Sequence, residues 1–151
     1  MDEVQKKLDD YMEVKRGAFP RFYFLSNDEL IDILANSANL EVIQLHLKTC
    51  FDNIVRIDIE DGVEIVAMNS NEKEKVNLKG RPKARGQIET WLESLQVDMI
   101  STLKDLMKKG VADYNDEKSD RKHFVMNHKG QIVATVAQIM WCQQSESYIQ
   151  E

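Results

Sequence analysis

The sequence predicts a mainly α-helical fold, a helical bundle fragment with one inserted β-hairpin. Three observations support this class: apolar residues recur every three to four positions over most of the chain, one stretch alternates apolar with polar residues, and a helix-capping motif separates two helical segments. The 151 residues suit a single domain, since domains commonly contain about 100–200 residues.

Three helices are predicted in the first part of the chain. Gly17 and Pro20 are expected to close the first helix, because glycine tolerates the turn and proline restricts the residue before it. Ser26 and Glu29 have the spacing of a capping box, which marks the start of the second helix. The apolar stripes place these helices at about residues 2–17, 27–36 and 40–53.

The apolar period then changes from helical to alternating. Residues 55–78 alternate apolar and polar side chains, which predicts an antiparallel hairpin. Asp61 and Gly62 suit its turn, because a type I′ turn needs positive φ at both central residues. Residues 75–78 are expected to return as a short third strand. A lone hairpin is only marginally stable in water, so this one should pack on helices.

Two further helices are predicted at about residues 86–109 and 130–146. Leucine and methionine recur at near-heptad spacing in the first of them, and Gly110 is expected to end it. The polar stretch 112–122 is predicted to be a loop with a short turn near residues 123–126.

Charge and composition exclude several function classes. The net charge of −6 argues against a general nucleic-acid binder, which needs a basic face. The basic segment KGRPKARG, residues 79–86, is interpreted as a solvated loop, although a nuclear address or an RNA contact is an alternative. No apolar run approaches the roughly 18 residues of a membrane span, and the first residues lack the apolar stretch of a secretory signal. We therefore expect a cytoplasmic protein with no membrane contact.

The cysteines and histidines carry no recognisable catalytic or metal-binding pattern. Cys50 and Cys142 lie in apolar helical patterns without a CxxC, and both are expected to be buried, reduced thiols. Cys50 has no base nearby, so packing is the favoured role. His123 and His128, with two aspartates nearby, could be imagined as metal ligands, but surface or capping histidines are the favoured interpretation. P-loop, GxGxxG, GxSxG and HExxH motifs are absent, and no catalytic, cofactor-binding or metal-binding residue is predicted.

Five segments, in order along the chain, resemble one family. LDDYMEVKRGAFPRFYFLSNDELIDIL, residues 8–34, is similar to the linker region of dynein heavy chains, especially the axonemal, ciliary members. Four later segments also resemble the family. Residues 46–61 resemble its helix-into-hairpin passage, and residues 65–78 resemble its hairpin return. Residues 83–104 resemble its long helix with a Trp-Leu pair (here Trp91), and residues 128–142 resemble its HPGQ…QI.W segment, whose tryptophan is here Trp141. Two positions depart from the family pattern: residues 71–74 lack a glycine in the turn, and Lys129 stands where proline is usual.

The resemblance implies a role that composition cannot reveal. In dyneins the linker is a mostly helical arch that swings across a ring of six AAA+ modules, which gives the power stroke along microtubules. This chain would be the later part of the linker, before the first AAA+ module, in a cilium or flagellum axoneme. Its partners would be the ring and the rest of the linker, microtubules would be reached only through the parent chain, and ATP and Mg²⁺ would belong to the ring. A free-standing helical protein–protein interaction module is the alternative, and a small enzyme would require a cleft with convergent polar groups.

The aromatic-rich segment FPRFYFLSN, residues 19–27, would then have a mechanical role. Phe19, Phe22 and Phe24 are predicted to wedge the break between two helices and to fix their angle. Pro20 would set the backbone, Arg21 would pair with an acidic neighbour or a carbonyl, and Tyr23 would expose its hydroxyl at a contact surface. Ordinary core packing accounts for the aromatic residues equally well.

Overall fold

The computed structural model describes residues 2–116 and 120–150. Its elements follow in the order α1 (Asp2–Ala18), a 3-10 helix (Pro20–Phe24), α2 (Asn27–Ala35), α3 (Leu40–Phe51), β1 (Ile54–Glu60), β2 (Glu64–Ser70), β3 (Lys75–Asn77), α4 (Ile88–Asn115), α5 (Arg121–Asn127) and α6 (Gly130–Gln150). The predicted fold class, mainly α with minor β, is confirmed. The length favoured one domain, but the chain forms two compact units, the first ending at Met99 and the second beginning at Ile100.

The first unit contains all the strands of the described residues. Here α3 packs against β1 and the 3-10 helix, while α1 packs against the 3-10 helix and α2. Large apolar side chains from the helices and the sheet are fully or almost fully buried; they include Met12, Phe22, Leu30, Ile43, Leu47, Ile57, Ile65, Leu92 and Leu95. The hairpin therefore does not stand alone, which agrees with its marginal stability in isolation.

The three strands form an antiparallel sheet in the order β1-β2-β3. The positive φ predicted at both turn residues is confirmed, since φ is 50° at Asp61 and 73° at Gly62. Register shifts interrupt the predicted alternation in β1, and one falls between Ile54 and Arg56. Ile54 and Ile57 are consequently buried while Val55 is only half-buried, because a bulge changes which residues face the core. The sequence predicts a third helix that extends to about residue 53, but α3 ends at Phe51.

The basic segment 79–86 is ordered along β2 and is not merely a solvated loop. Ile65 N–H donates to the Pro82 carbonyl at 2.9 Å, and Ala84 N–H donates to the Val63 carbonyl at 2.8 Å. The segment therefore lies on the same side of β2 as β3, and it extends that edge of the sheet.

The second unit consists of the later part of α4 with α5 and α6. Its buried cluster contains Phe124, Ile132, Val136 and Met140, with half-buried side chains of α4 packed against it. The prediction that Gly110 ends the long helix is wrong, because α4 continues to Asn115. Gly110 is buried, and a Cβ atom added there would lie 3.0 Å from Ile132 Cγ2. It is thus a close-packing position, a use of glycine that sequence spacing does not distinguish from a helix stop.

The polar stretch 112–122 is only partly a loop. Its first residues belong to α4 and its last to α5, and residues 117–119 lie outside the described residues. Among the described helices, none combines the length and apolar character needed to cross a lipid bilayer.

The two cysteines differ in exposure. Cys50 is buried as predicted, whereas the prediction that Cys142 is buried is wrong. The buried face of α6 is formed by Ile132, Val136 and Met140, which recur every four residues. Because successive residues turn by about 100°, Cys142 falls on another face of the same helix.

Candidate functional site

The helical backbone is interrupted between α1 and α2, in the aromatic-rich segment 19–27, which is called the break below. Phe19 N–H donates to the Lys15 carbonyl at 3.0 Å, but Pro20 has no N–H with which to continue the helix. Phe19 accordingly has an extended backbone, with φ −133° and ψ 95°, and Pro20 begins the 3-10 helix. The segment 19–27 therefore joins two helices through a short, tightly wound turn.

The aromatic residues of this break divide into a buried pair and an exposed pair. The rings of Phe19 and Phe22 are both buried and pack edge to face with centroids 5.0 Å apart. Phe24 was predicted to share this wedge, but its side chain is 66% exposed. A 3-10 helix has three residues per turn, so residue 24, two positions after the buried residue 22, lies on another face of the 3-10 helix. Tyr23 is also exposed, and its hydroxyl donates to Glu13 Oε1 at 2.5 Å.

Arg21 ties the 3-10 helix to two other elements. Its Nη1 donates to the Cys50 carbonyl at 3.0 Å, and its Nε donates to Gln96 Oε1 at 2.7 Å. The guanidinium also lies 5.0 Å from the centroid of the Phe51 ring. A carbonyl partner is among those that the sequence predicts for Arg21. The bond satisfies a carbonyl in the last turn of α3, which has no partner within the helix.

Arg16 braces the same break from α1, and the sequence analysis missed it. Its Nη2 donates to the Leu25 carbonyl at 3.2 Å and to Asn27 Oδ1 at 2.8 Å. Its Nε lies 3.5 Å from the Phe22 carbonyl. The available signal was a basic residue in the last turn of an amphipathic helix, where side chains commonly bond free carbonyls.

The predicted capping box at the start of α2 is present. The Ser26 hydroxyl accepts from Glu29 N–H, and Glu29 Oε2 accepts from Ser26 N–H at 2.8 Å. The Ser26 hydroxyl also donates to Glu29 Oε2, at 2.9 Å, and the bonds that this carboxylate accepts from the Ser26 N–H and hydroxyl lower the pKa of Glu29. The box fixes the point at which the chain leaves the break and enters α2.

A second feature missed from the sequence joins α1 to α4 in the first unit. Lys15 Nζ lies 2.5 Å from Glu89 Oε1, and both side chains are largely buried. The hydrogen bond to Glu89 raises the pKa of Lys15. The other carboxylate oxygen of Glu89 is buried without a hydrogen-bond partner in the described residues.

An open cleft of about 390 Å³ lies against the break. It is lined by Ala18, Phe19, Pro20, Arg21, Phe24, Glu93 and Gln96. Its lining mixes an exposed aromatic ring, a guanidinium engaged in hydrogen bonds and a carboxylate, and it contains no nucleophile–base pair.

Comparison with known proteins decides the family. The model of the family described as "Dynein heavy chain, N-terminal region 2" matches residues 1–110. The chain belongs to the dynein heavy chain family. Dynein axonemal heavy chain 6 of Homo sapiens is 41% identical over 94% of this chain, and Dynein axonemal heavy chain 3 of Homo sapiens is 38% identical over all of it. Dynein axonemal heavy chain 2 of Homo sapiens is 40% identical over 93% of the chain. The resemblance to axonemal dyneins is therefore confirmed, and the chain spans about 4% of the length of the first two relatives.

In this dynein segment, packing or hydrogen bonds occupy the side chains of Cys50, His123 and His128. Burial raises the pKa of the Cys50 thiol to about 11, so the thiolate that a nucleophile requires is rare near neutral pH. His128 Nε2 lies 2.8 Å from Asp113 Oδ2, and His123 bonds Asn127. Across residues 2–116 and 120–150, no group of three or more His, Cys, Asp or Glu side chains is arranged to hold a metal ion.

The two tryptophans of the dynein segment do not share one environment. Trp91 is buried in the first unit, near the start of α4, whereas Trp141 on α6 of the second unit is 67% exposed. The structure thus groups Phe19, Pro20, Arg21, Phe22, Ser26 and Glu29 at one break and leaves Trp141 outside that group. Their mechanical role stays a prediction.

Proposed function

We propose that this chain is a non-catalytic, stiff segment of a dynein linker, the lever that swings across the AAA+ ring to give the power stroke. The observation that carries the proposal is the bracing of the break at residues 19–27, in a chain whose family and order of segments match dynein heavy chains. A lever transmits force only if its joints resist bending, and this joint is held from several sides.

Three independent contacts support stiffness at the break. Arg16 holds it from α1, and Arg21 holds it to α3 and α4. Phe22 is fully buried beneath it. Hydrogen bonds to charged groups each contribute about 1.5–3 kcal/mol, so opening the joint requires several such losses together.

The proposal assigns the remaining machinery to the parent heavy chain. ATP and Mg²⁺ would act in the AAA+ ring, and the segment's partners would be that ring and the rest of the linker. Microtubules would be contacted only through the parent, in the axoneme of a cilium or flagellum. The segment itself would have no catalytic residue.

The test is an Arg21→Gln substitution in a full-length parent dynein that carries this segment. The change replaces the charged guanidinium with an uncharged polar amide, so the chain should still fold. We expect ATP hydrolysis to persist while microtubule gliding slows, because strain is lost at a softened joint. Arg56→Gln is a matched control, since Arg56 is an exposed arginine whose ion pair with Asp58 is long, at 3.7 Å. Unchanged movement per ATP in Arg21→Gln, or ATP turnover by the isolated 151-residue chain, would contradict the proposal.

The alternative, a helical protein–protein interaction module, is favoured by one observation. Trp141, Tyr148 and Ile149 on α6 are all strongly exposed. Sedimentation over a concentration series separates the two proposals. A lever segment removed from its neighbours should self-associate through such surfaces, whereas an independent module should stay monomeric until its partner is added.

A further inference from the structure

One edge of the sheet carries a row of positive charge. Every basic residue between positions 73 and 86 is at an odd-numbered position and is exposed; this basic row is Lys73, Lys75, Lys79, Arg81, Lys83 and Arg85. Between them, Val76, Pro82 and Ala84 are half-buried and Leu78 is buried. The alternation leaves the basic side chains in solvent, but only Lys75–Asn77 of this stretch is a strand, and φ is positive at Lys73 and Arg81.

Backbone hydrogen bonds hold the basic row in place. Leu78 N–H donates to the Val66 carbonyl at 2.8 Å, in addition to the bonds at Pro82 and Ala84 described above. Gly80 N–H donates to Asp98 Oδ1 at 2.8 Å, and a Cβ atom at Gly80 would meet that oxygen at 2.5 Å. The row is therefore presented by a fixed backbone.

Nearby carboxylates compensate the row only in part. Lys75 Nζ lies 2.8 Å from Asp58 Oδ2, but Arg81 and Lys83 are 3.4 Å or more from the carboxylates of Glu60 and Glu64. The side chains of Lys75, Arg81 and Lys83 remain 54%, 58% and 66% exposed. Exposed ion pairs are weak, and each cation keeps further N–H donors for another acceptor.

The two ends of the row are free of ion pairs within the described residues; these ends are Lys73 and Arg85. Residues 73–86 contain six basic residues and one acidic residue, while the whole chain has a net charge of −6. This edge is thus a local excess of positive charge in an acidic chain.

The backbone beside the row is also open. Ser70 N–H donates to the Glu74 carbonyl, and Leu78 N–H donates to the Val66 carbonyl. The backbone polar groups of Glu74 and Leu78 therefore point towards β2. In an antiparallel ladder, alternate residues point their backbone N–H and C=O groups to opposite sides, so those of Lys75 and Asn77 point away from β2. Over the described part of the chain, no strand pairs with that outer side of β3. Such an edge accepts an added strand, and its lysines repel a second copy of the same edge.

We propose that the basic row and the outer edge of β3 bind an acidic polypeptide segment in extended conformation, which adds to the sheet as a strand. Backbone bonds to Lys75 and Asn77 would supply affinity, and carboxylates at alternate positions would select the partner through the basic row. This binding is independent of the linker role, so either proposal can fail without the other.

The probe is a fluorescein-labelled peptide of about ten residues with glutamate and threonine alternating, which matches the two-residue period of a strand. We expect saturable binding to the full chain by fluorescence anisotropy, weakening as salt rises. Lys73→Gln/Arg85→Gln should weaken binding about threefold to tenfold, since each exposed cation contributes modestly. Lys108→Gln/Lys109→Gln on α4 removes the same charge elsewhere and should bind as the unaltered chain does. Circular dichroism confirms that both variants fold.

Two further probes separate strand addition from simple charge attraction. A peptide N-methylated at alternate residues keeps its carboxylates but cannot complete the backbone ladder, and it should bind much more weakly. Oligouridylate of equal charge should also bind more weakly, because it has no peptide groups. Equal binding of either probe, no binding of the unmodified peptide, or equal affinity in the two double variants overturns the proposal.

Discussion

Lys15 and Glu89 form a largely buried ion pair that joins α1 to the first turn of α4, with Nζ and Oε1 2.5 Å apart. Lys15→Met should lower the free energy of unfolding of the chain by about 1.5–3 kcal/mol, because it leaves a buried carboxylate without its charged partner. Urea unfolding measures the loss. Lys7→Met is the control: Lys7 pairs with Glu3 at 2.9 Å on an exposed helix face, and its loss should cost less than about 0.5 kcal/mol. Equal costs would show that the buried pair contributes nothing special.

The same pair predicts a pH dependence at the alkaline end. Glu89 raises the pKa of Lys15 above its ordinary value, so the folded state holds this proton more tightly than the unfolded state does. The contribution is fully present below the unfolded pKa of about 10.4 and is lost as pH rises through the folded value. The stability difference between the unaltered chain and Lys15→Met should therefore shrink above that pH, as measured by urea unfolding at a series of alkaline pH values. A difference that grows with pH would contradict the assignment.

Ser26→Ala should cost about 0.5–2 kcal/mol of stability, because it removes one half of the capping box. Ser101→Ala is a suitable control, since Ser101 is exposed within α4, where alanine is the better helix former. Chemical denaturation of both variants gives the comparison.

The lowered pKa of Glu29 predicts a pH dependence in acid. The contribution of the Glu29 carboxylate to the stability of the fold is present above the unfolded pKa of about 4.3 and is lost as pH falls through the folded value. Glu29→Gln should then differ from the unaltered chain at neutral pH and converge with it in acid.

Two glycine substitutions should act in opposite directions. Gly110→Ala places a Cβ atom 3.0 Å from Ile132 Cγ2 and 3.1 Å from Val136 Cγ2. Both neighbours are β-branched and stiff, so overpacking of about 1–3 kcal/mol should outweigh the helix propensity of alanine. Gly17→Ala in α1 has open space around the new atom and should stabilise by about 0.4–1 kcal/mol. Melting temperatures that move the same way in both variants would refute the close-packing role of Gly110.

The two phenylalanines of the 3-10 helix should respond differently to truncation. Phe22 is fully buried, so Phe22→Ala should cost about 3–5 kcal/mol. Phe24→Ala removes an exposed ring, and its cost should stay below about 0.5 kcal/mol. Guanidinium unfolding distinguishes them. A large cost for Phe24→Ala would mean that its ring packs in solution against something that the described residues do not supply.

Local signals in the sequence predicted the local structure well. The capping box of Ser26 and Glu29 and the turn at Asp61 and Gly62 depend on residues within four positions of one another, so their chemistry is visible in the sequence. The period of apolar residues likewise predicted most helices and the hairpin, because burial of one face sets that period.

Contacts between distant residues could not be predicted in this way. Lys15 and Glu89 are 74 positions apart, and the sequence around either residue does not identify the other as its partner. Gly110 looks like a helix stop until α6 is known to lie against it. Trp141 and Cys142 are in an apolar stretch, but the face of α6 that meets the core is set by packing and leaves both exposed.

The contrast between the two cysteines offers a native attachment point. Cys50 is enclosed, and its thiol has a pKa of about 11, so a maleimide at neutral pH should spare it. Cys142 is open to solvent on α6. A fluorophore or an optical-trap tether could therefore be placed on one sulfur of the unaltered sequence, without a cysteine-free background.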